Sequence, residues 1–385
     1  MTPRRVIVFA FDVTEASQIR TIRAIRACGA CVRSVSFRRG NMNAGFQPDW
    51  PDTALGLAPN GVGPRRLLAL ARGALRVLWH RRRLRGADVL LARNLDMALL
   101  ALLGRWASGS RAPLVYQCLD IHGLFARRGP RAALARRAER FVLDRTHRLA
   151  VSSPRYLAAH FVPVHGWRGR TQVIENGIWW PDGAPPRPAP GVAAAEGPLR
   201  LGWVGTLRCP RTLALLADVA DRMGPRVQIV LRGVVHRHQL PEFDRVLSLR
   251  PNMRYDGPYT YPDGLAQAYR GLDCVWAQDL WQAGANSDWL LPNRLYEAGY
   301  FGCPAIAVAG TETARAVQQR ALGLVIPEAS AARLIPALEA GRTALTRLRR
   351  GLLARPADEF CLSPGAVAGM LDLAAADPAG VPRAA

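Results

Sequence analysis

Short apolar runs rich in β-branched residues alternate with helix-patterned segments along most of this 385-residue chain, and the alternation stops once and then restarts. The first run, VIVFA at residues 6–10, has the length and continuous apolarity of a parallel strand buried on both faces. Residues 17–28 follow with Ile19, Ile22 and Ile25 at helical spacing and Gly29 at a C-cap position, and residues 31–37 return as a strand. The unit then recurs: helices predicted at 65–84, 97–107 and 131–146 lead to strands at 88–92, 113–117 and 148–152. Residues 181–198 break the pattern with prolines at 181, 185, 186, 188, 190 and 198, the composition of a linker. Beyond them, strands predicted at 199–204, 227–232, 253–255, 274–277 and 305–309 alternate with helices at 212–222, 264–269 and 295–301.

This alternation predicts an α/β fold of parallel, doubly wound sheets. The chain also exceeds the roughly 250–300 residues at which a single core stops growing. The expected organisation is two Rossmann-like domains, 1–180 and 199–345, joined by the proline-rich linker 181–198, with a C-terminal helix and tail at 346–385 crossing back to the first domain. In open α/β sheets ligands sit beyond the carboxyl ends of the strands. The site is therefore expected in a cleft where two such sheets face each other.

Composition narrows the partners. At 49% hydrophobic and 21% charged, the chain has ample material for folded cores. All 52 basic residues are arginine, against 29 acids, for a net charge of +23. Residues 1–180 hold 30 arginines and 10 acids, a net of +20; residues 181–385 hold 22 and 19, a net of +3. Seven scattered cysteines read as free thiols in a reducing cytosol. Cys28 and Cys31 form a CxxC, but no second pair completes a zinc site and the motif closes a helix instead of opening one. The first residues lead straight into a strand, so no signal peptide is expected. The longest apolar stretch, 87–107, is interrupted by Asp88, Arg93, Asp96 and Arg105, which a span of roughly 20 residues does not tolerate. In residues 65–85, Leu68, Ala71, Leu75, Leu78 and Trp79 fall on one helical face and Arg65, Arg72, Arg76 and Arg83 on another. A polybasic face gains about 1 kcal/mol per Arg beside anionic lipid, which would hold the first domain peripherally at the inner face of the cell membrane; an ordinary helix packed on the sheet with a solvated Arg face fits the pattern equally.

The chemistry-bearing segments sit at predicted strand ends. In residues 290–308 (LLPNRLYEAGYFGCPAIAV) a loop through Pro292 and Asn293 opens a helix at Arg294, which Gly302 and Pro304 close before the next buried strand. Glu297 falls near the start of that helix, where free N–H groups suit a diphosphate and a carboxylate can bond ribose hydroxyls; a helix macrodipole alone would also favour it. Residues 201–207 (LGWVGTL) deliver Arg208, with Arg211 just beyond, and an Arg fork suits a diphosphate. Residues 115–124 (VYQCLDIHGL) deliver Asp120 and His122 to a loop, residues 11–17 (FDVTEAS) hold Asp12 in the first strand-to-helix loop, and residues 173–178 (VIENGI) set Asn176 and Gly177 in a tight turn.

In this order the segments resemble glycosyltransferase family 4, enzymes of the GT-B fold whose second domain carries a segment of the form P-N-K-x-x-E-x-x-x-x-G-x-P-V-I-A. The resemblance implies that Asn293, Arg294, Leu295 and Glu297, with Arg208 and Arg211, hold the donor nucleotide and its phosphates. It implies further that Asp120 or His122 meets the donor sugar or the acceptor hydroxyl, one as general base and the other orienting the sugar, and that Asp12 touches the acceptor. The chain departs from the family pattern in two places. The loop at 11–17 has no glycine, and where family 4 has a first glutamate, eight residues before Glu297, stands Trp289 with Asp288 adjacent. FDVTEAS, DIH, ER-x-VL-x-R followed by VSSPRYL, and DWLLPNRLYE are similar to a divergent branch, the exopolysaccharide glucosyltransferases of succinoglycan type. That branch implies a hexosyltransferase moving a sugar from a UDP-sugar, UDP-glucose or a relative, to a lipid-linked or oligosaccharide acceptor in surface polysaccharide biosynthesis, with retention and with no metal or other cofactor. A non-catalytic or isomerising GT-B nucleotide-sugar-binding protein would keep the donor segments and lose the acceptor loop. A nucleic-acid-binding protein would share the basicity but leaves DIH and PNRLYE unused.

Overall fold

In the computed structural model, which describes residues 3–39, 45–59, 63–125, 127–180, 183–189, 197–339 and 341–373, the alternation resolves into two all-parallel sheets. The first holds β1 (Arg5–Ala10), β2 (Cys31–Arg38), β3 (Asp52–Leu57), β4 (Val89–Arg93), β5 (Leu114–Cys118), β6 (Arg148–Val151) and β7 (Thr171–Val173), in the order β3-β2-β1-β4-β5-β6-β7. The second holds β8 (Leu199–Val204), β9 (Val227–Arg232), β10 (Met253–Tyr255), β11 (Cys274–Trp276), β12 (Ala305–Val308) and β13 (Gly323–Ile326), in the order β10-β9-β8-β11-β12-β13. Each sheet winds outward from its first strand, then returns to pair a fourth strand on that strand's other edge: β4 on β1, and β11 on β8. Such a reversal leaves a crevice at the carboxyl ends of the two central strands.

The second sheet illustrates why its strands read as unbroken apolar runs. Leu201 and Trp203, Ile229 and Leu231, and Cys274 and Trp276 face one core with helices Pro210–Met223 and Ala331–Glu339. Their neighbours Val204, Val230, Val275 and Ala277 face the other, with helices Leu265–Tyr269, Asn293–Tyr300 and Glu312–Gln319. Alternate side chains leave a strand on opposite faces, so burial on both faces requires every position to be apolar.

The chain divides between Glu175 and Asn176 and again between Cys361 and Leu362. The first unit takes the described residues up to Glu175 together with those from Leu362 onward, and the second takes those between. The first division lies ahead of the proline-rich segment, and the reason is in the hydrogen bonds. Ile178 N–H donates to Phe360 O at 2.9 Å, bridging the segment that enters the second unit to the one that leaves it. Within the expected linker, the Arg187 guanidinium donates to the carbonyls of Tyr300, Arg355 and Leu352, so residues 183–189 are fastened to the second unit. Residues 181–182 and 190–196 of that linker, and 374–385 of the tail, lie outside the described residues. Helix Pro364–Met370 packs on helix Ala16–Ala27 within the first unit. Arg148 fastens this return, donating to Gly369 O and, at 2.6 Å, to Asp372 Oδ1, while Gln172 Nε2 donates to Ala366 O at 2.8 Å.

Three strands, β3, β7 and β13, were not among those the sequence pattern predicts. All three are sheet edges and partly exposed, so they lack the continuous apolar run that marks an interior strand. The helix predicted over 65–84 ends at Trp79, and a separate 3₁₀ turn covers Arg81–Leu84. Its buried side is the seam Ala69, Gly73 and Val77, and the leucine-bearing face is turned to solvent.

A polar cluster sits inside the first unit. Glu139, on helix Pro130–Leu143, is buried, and its Oε2 accepts from His160 Nε2 at 2.6 Å and His165 Nε2 at 2.8 Å while Oε1 accepts from Tyr116 OH at 3.0 Å. Pro163 has no N–H to continue an α-helix, and the widened π turn at Leu157–Phe161 just before it presents His160 and His165 to the same carboxylate. Burial alone would raise the Glu139 carboxyl, but the two histidine hydrogen bonds outweigh it and hold it below the ordinary glutamate value. A depressed carboxyl stabilises the fold above its unfolded pKa of about 4.3 and loses that contribution as pH falls through the folded value. Glu139→Ala, which strands three buried donors, is expected to cost about 3–5 kcal/mol in urea unfolding at neutral pH. The gap to the parent protein should narrow steadily in acid; a gap that is small at pH 7, or that persists unchanged at low pH, would contradict this account.

Candidate active site

At the reversal point of the second sheet, the loop after β8 is pinned to the loop after β9. Gly205 N–H donates to Arg232 O, Leu207 N–H to Val234 O and His236 N–H to Leu207 O, each at 2.9 Å. Gly205 and Gly233 have φ of +113° and +128°, and a Cβ on Gly233 would stand 1.8 Å from the Gly205 carbonyl oxygen, so only glycine allows the approach. The pinned loop presents Arg208. Across the crevice, the loop after β11 presents Asp279, whose Oδ2 lies 3.8 Å from the Arg208 guanidinium, and Arg208 also stands 5.8 Å from the centre of the Trp281 ring. Asp279 Oδ1 accepts from Trp281 N–H at 2.6 Å and Ser287 Oγ at 3.1 Å, which fixes the loop. Arg208 is about two-fifths exposed, so its pairing is loose and open to exchange with an anion.

Helix Asn293–Tyr300 starts beside this pair. Arg294 donates to Trp276 O at 3.4 Å, and Asn176 Nδ2 donates to Leu291 O at 3.0 Å, which seats the loop that precedes the helix. Leu295 is a core side chain and its N–H already donates to Pro292 O at 3.0 Å; the N–H groups of Asn293 and Arg294 have no acceptor among the described residues. Glu297 is only 4% exposed, one turn into the helix, and its Oε2 accepts from Tyr269 OH at 2.9 Å. Burial, and next to it the Glu297 charge, push the Tyr269 and Tyr259 hydroxyls well above the ordinary tyrosine value, with Arg294 opposing. Glu297, Tyr259, Tyr269 and Arg294 thus form one electrostatic group. Arg211 is exposed in the first turn of helix Pro210–Met223. Asp288 serves its own loop, accepting from Gly284 N–H at 3.0 Å.

In the first unit the crevice at β1 and β4 is lined differently. Asp12 is only 2% exposed and its Oδ1 accepts from Thr14 N–H at 3.0 Å and Thr14 Oγ1 at 2.7 Å, an Asx-type closure that places the carboxylate beneath the loop. Arg93, at the end of β4, donates to Ser17 Oγ and Thr21 Oγ1, both at 2.9 Å. Its complete burial pushes the guanidinium down to about 10, with the charges of Glu15 and Asp120 opposing and that of Arg20 assisting. Asn94 follows at φ +65° with its side-chain oxygen buried and unpartnered, and both amide atoms of the buried Gln18 are likewise without partners among the described residues. Asp120 and His122 lie exposed beyond β5. His122 Nδ1 accepts from Leu124 N–H at 3.1 Å, and partial burial, with the Arg66 and Arg127 charges against that of Asp96, holds the ring below its ordinary value. A neutral ring accepting at Nδ1 carries its proton on Nε2.

Arg93, Asn94, Gln18 and Asp279 escape a reading of the sequence alone. Arg93 and Asp279 each sit just past an apolar run, so the signal is a charge at a strand end, and only the strand order shows that both strands border a reversal. Glu139, His160 and His165 offer three ligand atoms within 4.8 Å of one another. Their N···O separations are those of hydrogen bonds, shorter than the roughly 3.3 Å that tetrahedral ligands at about 2.0 Å from a zinc ion would keep.

Two doubly wound parallel sheets in one chain define the GT-B fold class. Anabaena HepE in complex with UDP superimposes with a TM-score of 0.67 at 15% identity, covering 96% of this chain and 98% of that one. WaaG, a glycosyltransferase involved in lipopolysaccharide biosynthesis, gives 0.63 at 17% identity over 95% and 99%. No family model matches the sequence. The succinoglycan biosynthesis protein ExoL of Rhizobium meliloti (strain 1021) is 35% identical over 325 residues, which cover 84% of this chain and 81% of that protein. The chain belongs to the family of that succinoglycan biosynthesis protein.

The loop that carries Arg208 depends on the Gly205–Gly233 approach. Gly233→Ala is therefore expected to destabilise the second unit by about 3 kcal/mol, measured by urea unfolding. An unchanged midpoint would mean that the two loops are not held together in solution.

Proposed function

We propose that this chain transfers a hexose from a UDP-sugar, UDP-glucose or a close relative, to a lipid-linked or oligosaccharide acceptor in surface polysaccharide biosynthesis, with retention at the anomeric carbon. The observation that carries this reading is the juxtaposition of Arg208, loosely held by Asp279, with the unpartnered N–H groups of Asn293 and Arg294 at one strand-order reversal. A diphosphate meeting that corner would displace Asp279 from Arg208 and accept from both amides. Arg211 stands by the same loop, and Glu297, oriented by Tyr269, takes the ribose hydroxyls once the pocket opens around it. The structures of Anabaena HepE with UDP and with UDP-glucose favour uridine over other bases.

In the reaction the bond from the anomeric carbon to the diphosphate breaks and its electron pair leaves with UDP, a bond from that carbon to the acceptor oxygen forms on the same face, and the acceptor proton passes to the departing diphosphate oxygen. Arg208 and the helix amides meet the charge that grows on the diphosphate, the electrostatic stabilisation expected of such donors, and we assign no role to a metal. In the first unit, a neutral His122 donating from Nε2 suits a sugar hydroxyl, whereas Asp120 acting as base would accompany inversion. Asp12 acts on the acceptor only through the loop that it closes. The strongly basic first unit supports a cytoplasmic enzyme held peripherally at the inner face of the cell membrane, where a lipid-linked acceptor is presented.

Thermal unfolding with UDP, GDP, ADP and CMP tests the donor site, because a ligand of the folded state must raise its stability. Selective stabilisation by UDP is expected, with affinity falling about 10- to 100-fold in Arg208→Ala and falling as well in Glu297→Ala. No stabilisation by any nucleotide would overturn the reading. Stabilisation without sugar transfer would leave a non-catalytic nucleotide-sugar-binding protein, and the anomeric configuration of any product distinguishes retention from inversion.

A further inference from the structure

The second unit holds a cavity of about 570 Å³ away from the donor corner, beside the amino ends of β8 and β11, the strands that deliver Arg208 and Asp279 at their carboxyl ends. It is bounded by the turn 271–273 that leads into β11, and that turn is stitched to β8: Asp273 N–H donates to Arg200 O at 2.9 Å and Asp273 Oδ2 accepts from Arg200 N–H at 2.8 Å. Helix Arg342–Ala354 forms another side. Arg342, Leu345, Thr346 and Arg349 recur on it at spacings of three and four, so one face of the helix is turned to the cavity. Close packing fixes that helix, since a Cβ on Gly302 would stand 2.5 Å from Leu353 Cγ. Pro186, Arg187 and Pro188 line a third side, from the proline-rich segment that Arg187 fastens.

The lining joins positive charge to apolar surface. Four arginines reach it, against one carboxylate, Asp273, which already serves the Arg200 N–H. A guanidinium offers several N–H groups. Arg187 spends Nε and both terminal nitrogens on carbonyls. Among the described residues Arg342 gives one bond, to Gly197 O, and Arg349 one, from Nη1 to Leu272 O at 3.4 Å, while the Arg349 Nε is buried with no partner. Leu272, Leu345, Phe301 and the two prolines supply the apolar part. That combination suits a phosphate dianion on an apolar body, and the volume lies within the range of small-ligand sites, roughly 300–1,000 Å³. A sugar phosphate or a nucleotide would bring hydroxyls to a wall on which only Thr346 and Asp273 could answer them, because the Tyr269 hydroxyl is taken. Tyr269 belongs to both places: it lines the cavity, its ring stacks on Phe301 with centres 5.8 Å apart, and its OH donates to Glu297 Oε2 at 2.9 Å.

We propose that this cavity is a second ligand site, for a phosphate monoester of an apolar alcohol, and that its occupant strengthens donor binding by steadying the Tyr269 ring and, through its hydroxyl, the Glu297 carboxylate. The coupling rests on Glu297 meeting the donor ribose; the binding does not.

Isothermal titration calorimetry of the full chain with 1-naphthyl phosphate tests the site, with inorganic phosphate as the charge alone and 1-naphthol as the body alone. A single equivalent of 1-naphthyl phosphate is expected to bind, about tenfold or more tighter than either part. Arg342→Gln/Arg349→Gln and, separately, Thr346→Phe, which fills the space and keeps both arginines, should each weaken it about tenfold or more, while Arg208→Ala leaves it unchanged. Urea unfolding midpoints near that of the parent protein report that the variants are folded. With the probe present UDP should bind about fivefold tighter, and by reciprocity UDP should tighten the probe by the same factor. Tyr269→Phe, which keeps the ring and removes the bond to Glu297, should abolish that factor and spare probe binding. No binding of 1-naphthyl phosphate, binding no tighter than that of inorganic phosphate, loss in Arg208→Ala in place of the cavity variants, or a UDP affinity indifferent to the probe would each overturn the proposal. A chain that binds the probe but never UDP would sink the donor reading and the coupling with it, and the second site would still stand on the first titration.

Discussion

A parallel strand can satisfy its backbone only between two neighbours and its side chains only between two layers of helices. Both sheets here meet that requirement by winding in opposite directions from a central strand, and the crevice of each unit follows from the place where the winding reverses. Connections leaving β8 and β11 diverge to opposite sides, so the carboxyl ends between them stay uncovered. Arg208 and Asp279 are the charges that those two strands deliver there. The first sheet has the same reversal but a different lining. Its central strands deliver a buried Arg93 and a strained Asn94, while Asp120 and His122 arrive one strand further out, on β5.

The pairing of Arg208 with Asp279 bears on the acid that the family pattern leads one to expect eight residues before Glu297. Trp289 occupies that position, and Asp288 beside it spends its carboxylate on Gly284. Asp279 divides its two oxygens between tasks: one fixes the loop through Trp281 and Ser287, and the other faces Arg208 across 3.8 Å. At that separation, with Arg208 partly in water, the attraction is small compared with what a diphosphate making short bidentate bonds would supply. The pair therefore holds Arg208 in place without competing strongly for it.

Interior strands were legible because burial on both faces leaves a mark that sequence preserves. The strands predicted at 199–204 and 227–232 coincide with the interior strands β8 and β9, whereas the edges β3, β7 and β13 carry polar residues or glycine and leave no such mark; the edge β10, predicted at 253–255, is the exception. The helix at Glu297 and the loop at Arg208 were legible from local motifs, since both need particular residues at short spacing. Asp279 and Arg93 were not, because their meaning lies in which strands become neighbours, and strand order is a property of pairing across hundreds of residues. The unit boundary was displaced for a related reason. Proline marks where regular structure ends, but Arg187 and Ile178, through bonds to residues more than a hundred positions away, decide which unit the chain belongs to.

The distribution of acids gives the exposed helix its sense. In the second unit, surface arginines are met by neighbouring carboxylates, as in Arg222 with Asp218, Arg245 with Glu242 and Arg250 with Asp221. In the first unit Asp49 meets Arg23 and Arg26 and Asp372 meets Arg148 and Arg170, while other acids do internal work: Glu139 holds two histidines, Asp12 closes a loop, and Asp52 accepts from Ser34 and Ser36. Asp96 draws Arg66 inward from helix Pro64–Trp79 and leaves the outer arginines of that helix without an acid on their own element. A helix that faces water ordinarily interleaves both signs of charge at spacings of three and four. This one instead sets leucine and tryptophan beside arginine over a seam of Ala69, Gly73 and Val77 narrow enough to hold it without using its large side chains.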